Sequence, residues 1–224
     1  MLFRSYCHPR VSETMDDIIA FVQLALDKNV AYKAGDDVLF SVESVKDYGS
    51  LSKIKIDDLI AGTRIAVTDN KKYPMDFVLW KKTDDDGIKF HADFGDGRPG
   101  WHTECLVMIN KIFGQPLIDI HGGGFDLKFP HHENERAQSE AVYNSPLANN
   151  WMHVGFINMG DEKMSKSLGN VVYMKDFLEK YNPDIFRLFV LKGYYRSPLV
   201  YTDESIKAAE NEIKKYINCE KSAD

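Results

Sequence analysis

Helical periodicity appears first in SETMDDIIAFVQLALDKN, where Ile18, Ile19, Val22 and Leu26 recur at three- and four-residue intervals. Ser12 stands where a cap would, Asp16 and Asp17 place negative charge in the first turn, and Asn29 is a stop. The period then shortens to two. In AYKAGDDVLFSV, Val38, Phe40 and Val42 alternate after a Gly-Asp-Asp turn, which predicts a hairpin. From Glu43 to Gly97 the pattern is mixed, with one expected strand at DFVLW and an acidic turn at TDDDG. Behind the turn GDGRPG, helical spacing returns in WHTECLVMINKIFG: Trp101, Cys105, Met108 and Ile112 share a face and Gly114 ends it. PLIDIHGGG reads as a short strand running into glycines. Pro130 occupies the first turn of a helix through HHENERAQSEAVY, and WMHVGFINM reads as a second apolar strand before the polar loop GDEKMSKSLGN. Helix, strand, helix, strand predicts a parallel sheet with crossover helices, and MKDFLEKY, PDIFRLFVLKGYY and TDESIKAAENEIKKY predict a helical end.

Composition narrows the class. The 224 residues are 44% hydrophobic, enough for a core in one large or two small domains. With 34 acidic against 28 basic side chains the net charge is -6, so no overall basic field favours DNA or an anionic membrane, and RNA would need a local patch. Cys7, Cys105 and Cys219 form no CxxC pair, which argues against a disulfide framework and for the cytoplasm. MLFRSYCHPR lacks a signal-peptide core, and nowhere do about 18 apolar residues run together.

His131 and Glu135, four apart on the predicted helix and in line with Gln138, have metal-ligand spacing. Imidazole and carboxylate both ligate zinc, and Cys105 on a neighbouring helix end would add a thiolate. The same residues also admit plainer roles: Cys105 as a small core residue, His131 and Glu135 as a surface pair, His121 as structural. His132 is an alternative ligand, although no acid follows it by four. The HGGG glycines and Asp126 fall where a strand meets a loop, the place where open parallel sheets bind ligands. GDEKMSKSLGN lacks Walker spacing, which excludes a P-loop nucleotidase. Its Lys163 and Lys166, among Ser165, Ser167 and Gly169, suit either a transient polyanion such as triphosphate or a solvated basic loop.

KMSKS, Lys163 to Ser167, resembles the signature loop of class I aminoacyl-tRNA synthetases, and GRPGWHTEC with DIHGGGFDLKFPHHENERAQSEA is similar to the cysteinyl-tRNA synthetase subgroup. The likeness runs from SETMDDIIAFV, similar to that family's connective insertion, to GYYRSPLVYT. It implies an α/β fold: the second half of a Rossmann-like parallel sheet, with an α+β connective insertion before it and a helical region after it. The implied division is residues 1–96, 97–172 with the signature loop, and 173–224 as the start of a region contacting the tRNA stem. By resemblance Cys105, His131 and Glu135 match three zinc ligands, and Trp101, His102 and His121 match residues around the amino-acid pocket. Lys166 matches the lysine that contacts ATP, with Lys163, Ser165 and Ser167 alongside, and Asp126 falls in a segment near the nucleotide.

The implied reaction is attack of the cysteine carboxylate on the α-phosphate of ATP, bound with Mg2+, followed by transfer of the cysteinyl group to tRNA(Cys). Zinc would take the substrate thiol as thiolate, a readout the harder serine hydroxyl fails. Lys163 and Lys166 would stabilise phosphate charge in the transition state. The family's His-x-Gly-His string and first-strand zinc cysteine have no counterpart, Cys7 being a poor replacement, and the anticodon-reading part is absent. These departures predict an internal piece of a synthetase, inactive alone, whose unpaired sheet edges favour association. A cysteine ligase acting on an amino sugar and a noncatalytic zinc-binding module use the same residues. A zinc hydrolase is disfavoured, because apart from Glu104 and Glu133 no general base stands near the ligands.

Overall fold

A computed structural model describes residues 5–56, 70–83, 87–160, 162–164 and 169–221. Two compact units divide the chain, Met1–His121 with Leu127–Trp151 and Gly122–Asp126 with Met152–Asp224.

In the first unit helix α1 (Met15–Asp27) buries Met15, Ile18, Phe21, Val22 and Ala25, while Ile19 and Leu26 are only partly covered. Ser12 is not its cap. It sits in a 3-10 turn, Val11–Glu13, and Thr14 takes the cap position with its hydroxyl turned back to donate to the Arg10 carbonyl at 3.0 Å. The helix does end before Asn29, whose φ is 59°. Strands β1 (Ala31–Ala34) and β2 (Asp37–Phe40) form the expected hairpin, continued antiparallel by β3 (Phe77–Lys82) and β4 (Gly97–Pro99). GDGRPG is therefore only half a turn. Pro99 is tolerated in β4 because that strand lies at the sheet edge. The aspartates of TDDDG lie outside the described residues.

Gly100 carries the chain from β4 into helix α2 (Trp101–Phe113), so close to β3 that a Cβ there would lie 2.0 Å from the Val78 carbonyl oxygen. Helix α2 packs Leu106 and Val107 into a core with Ile18, Val22, Phe40, Leu79 and Trp80. Its buried face thus runs through Thr103, Leu106 and Val107, not the expected Trp101, Cys105, Met108 and Ile112 stripe; Trp101 is 58% exposed. Both faces are apolar, so periodicity cannot choose between them; the position of the sheet does. Helix α3 (Glu133–Tyr143) begins three residues after Pro130, which is not in its first turn. Phe129 is extended (φ -141°, ψ 135°), as the residue before a proline prefers, and a wide π-type turn, Lys128–His132, leads into the helix.

WMHVGFINM forms two strands instead of one. Strand β6 (Ala148–Val154) pairs with β5 (Ile118–Gly124), whereas β7 (Ile157–Met159) belongs to a different sheet. In the second unit β7 pairs antiparallel with β8 (Glu162–Lys163) and parallel with β9 (Leu199–Tyr201). Between β7 and β9 the chain passes through α4 (Met174–Lys180) and α5 (Pro183–Lys192), the helical crossover that a parallel pair requires. Asn182 caps α5 by accepting from the Asp184 amide at 2.9 Å. Helix α6 (Asp203–Lys221) completes a core of Phe177, Ile185, Phe189, Ile206 and Ala209. The result is the expected α/β architecture with a helical end, and among the described residues no helix is long and apolar enough to cross a membrane.

Candidate metal and substrate site

Helix α3 is polar in sequence yet buried from Glu133 through Ser139. Buried polar groups need partners, and most of these have them. Gln138 accepts from the Thr103 hydroxyl of α2 at 2.8 Å and donates to the Asn134 carbonyl at 3.0 Å, so it braces two helices and does not join the predicted ligand row. Glu133 accepts from the Ser52 amide at 2.7 Å and from Arg136 at 3.2 Å. Arg136 also reaches Asp47 and Ser50 at 2.6 Å and Glu140 at 2.8 Å, tying residues 47–52 to α3. Glu133 is a structural anchor.

Glu135 is different. One oxygen, Oε2, lies 2.7 Å from Nε2 of His121 on β5. The other, Oε1, lies 3.2 Å from Nε2 of His131 but accepts no aligned hydrogen bond although it is fully buried. The ligand atoms of Cys105, His131 and Glu135 all fall within 4.8 Å of one another, and so do those of His121, His132 and Glu135. His102 approaches His131 from the other side, Nδ1 to Nδ1, at 2.7 Å. Aromatic rings close the walls: Trp101 lies over His131 at 4.3 Å between centroids, and Trp151 meets His121 edge-on at 5.0 Å.

Electrostatics follow from this packing. Burial pushes the Cys105 thiol up to about 12, with Glu135 and Glu104 adding to the effect. Burial would raise Glu135 as well, but the hydrogen bond from His121 and the close approach of His131 prevail and hold it down to about 2. Burial and the neighbouring His131 push His102 down to about 4, so it is neutral at pH 7, and burial raises Glu104. A buried carboxylate, an imidazole and a thiol thus converge around an oxygen with an open lone pair. The thiol of Cys105, the imidazole of His131 and the carboxylate of Glu135 are the S, N and O donors that a divalent ion such as zinc prefers, so the residues present fit such an ion.

The structure brings Trp101, His102, Cys105, His121, His131 and Glu135 together around one place. Asp126 lies in the turn Phe125–Leu127 at the end of β5, and Lys163 ends β8. Ser165, Lys166 and Ser167 lie outside the described residues. Sequence reasoning missed Trp151, which no motif marks and which reaches the site only through the placement of β6. The anchoring role of Arg136 was visible in outline, since Glu133, Arg136 and Glu140 are spaced three and four apart.

Comparison with known proteins places the chain in a family. The family described as tRNA synthetases class I (C) catalytic domain matches residues 2–211. A cysteine–tRNA ligase of Thermococcus gammatolerans is 50% identical over 211 residues, covering 94% of this chain and 44% of the relative. One from Shouchella clausii is 51% identical over 211 residues, covering 94% and 45%. The chain thus spans somewhat less than half the length of these relatives. In fold it is similar to the methionyl-tRNA synthetase of Mycobacterium tuberculosis solved with methionyl-adenylate, with a TM-score of 0.64 at 15% identity over 92% of this chain and 51% of that one. The match over residues 2–211, nearly the whole chain, leads to one conclusion: the chain belongs to the class I (C) tRNA synthetase catalytic-domain family.

Proposed function

We propose that the protein carrying this chain is a cysteine–tRNA ligase, which activates L-cysteine with ATP and transfers it to tRNA(Cys) in the cytoplasm, and that this chain forms part of its active site. The observation that carries the reading is the convergence of Cys105, His131 and Glu135 around the open Oε1 of Glu135. Zinc held there would supply a soft Lewis acid that takes a thiol as thiolate and discriminates against a hydroxyl. Trp101, with its ring over His131 and more than half exposed, would offer a face to the substrate, with His102 and His121 beside it. Lys163 and Lys166, with Ser165 and Ser167, would bind the phosphates of ATP and its Mg2+, and Asp126 would stand near the nucleotide. The functional division follows residues 1–96, 97–172 and 173–224, the last contacting the tRNA stem.

The 224 residues contain no His-x-Gly-His string, and they are inactive by themselves on this reading. The test is cysteine-dependent exchange of pyrophosphate into ATP. The full protein should catalyse it and carry bound zinc; exchange that ignores cysteine, or a zinc-free active protein, would sink the reading. Exchange by the 224 residues alone would overturn their inactivity.

A further inference from the structure

Four side chains make one line of close polar contacts through the site. His102 Nδ1 meets His131 Nδ1 at 2.7 Å, His131 Nε2 meets Glu135 Oε1 at 3.2 Å, and Glu135 Oε2 meets His121 Nε2 at 2.7 Å. The middle two are candidate ligands. The outer two engage Nδ1 of His131 and Oε2 of Glu135, leaving the facing Nε2 and Oε1 for an ion. We propose that His102 and His121 are positioning residues for the metal, acting through His131 and Glu135. This rests on the zinc reading above and deepens it.

The chemistry of the line is directional. An imidazole that ligates through Nε2 carries its proton on Nδ1, and His102 Nδ1 is placed to accept that proton's hydrogen bond, which fixes the tautomer and ring plane of His131. At the other end His121 Nε2–H donates to Oε2, which fixes the rotation of the Glu135 carboxylate and presents Oε1 alone. Both orienting rings are held by their neighbours. His102 meets Phe77 edge-on, with centroids 5.7 Å apart and planes at 88°, and lies parallel to Trp101; His121 is gripped by Trp151. The competing arrangement is the second cluster, in which His121 would itself ligate together with His132 and Glu135.

Chelator competition for zinc and the absorption spectrum of the cobalt(II) form, both on the full protein, separate these. His121→Ala and His102→Ala should each weaken zinc binding by about 10- to 100-fold, the usual effect of removing such a partner. At saturating cobalt both variants should keep the thiolate charge-transfer band and shift the ligand-field bands. His121→Gln keeps an N–H donor near the Nε2 position, and His102→Asn keeps an acceptor near Nδ1, so both should recover most of the lost affinity. Alanine variants that bind zinc as tightly as wild type overturn the proposal. So does a His121→Gln protein as weak as the alanine variant, because a direct ligand is not replaced by an amide. A wild-type protein that takes up no zinc refutes the metal reading itself, an outcome distinct from the other two.

Discussion

Glu135 shows why single residues in this site act as a set. It is fully buried, and two imidazoles keep it ionised against the pull of burial, to a value of about 2. A depressed carboxyl contributes stability that is present above its unfolded value near 4.5 and is lost as pH falls through about 2. In metal-free protein, urea midpoints should therefore fall with pH across that window, and Glu135→Gln should flatten this part of the profile; an unchanged profile would refute the assignment. Cys105→Ser in the full protein should reduce both zinc content and cysteine affinity, because a hydroxyl is a poor substitute for a thiolate ligand. Retention of both at wild-type levels would remove Cys105 from the ligand set. The grouping of Cys105, His131 and Glu135 was legible from spacing and resemblance. The partners of the ligands were not: His102 and His131 are 29 positions apart and His121 and Glu135 are 14 apart, distances at which no helical or strand period relates two side chains.

At the scale of elements, the site depends on where α2 begins and what it leans on. Gly100 lets the chain turn from β4 into α2 against the backbone of β3. Gly100→Ala should push α2 away from β3, costing about 1–3 kcal/mol as overpacking does, and should lower zinc affinity because Cys105 moves with the helix. A variant with wild-type stability and metal binding would show that the contact is not needed. Trp80 is fully buried in β3, its indole N–H donating to the Gly95 carbonyl at 3.0 Å, and Trp80→Ala should cost about 3–5 kcal/mol in a denaturant titration. The main elements were readable because helical period, alternation and stops such as Asn29 and Gly114 are local signals. The readings that shifted were at boundaries and faces: Ser12, Pro130, the split strand WMHVGFINM and the core face of α2. In each, two local patterns were equally permitted and packing selected one.

Over the whole molecule, the two cores among the described residues leave several large apolar groups uncovered, among them Trp101, Phe113, Ile120 and Phe125. Purified as 224 residues, the chain should associate with rising concentration, and a monomer at every concentration in sedimentation would contradict this. Its net charge of -6 opposes association only weakly at physiological salt, where charges are screened beyond about 8 Å. The amino-acid sequence by itself determined the main helices and strands, the α/β class, the exclusion of a P-loop and the metal-ligand spacing of His131 and Glu135, because each rests on spacing within one segment or on a contiguous motif. Tertiary structure alone decided which helix face is core, which buried polar groups of α3 are satisfied, and that Oε1 of Glu135 is left open, because those depend on contacts between residues far apart in the chain.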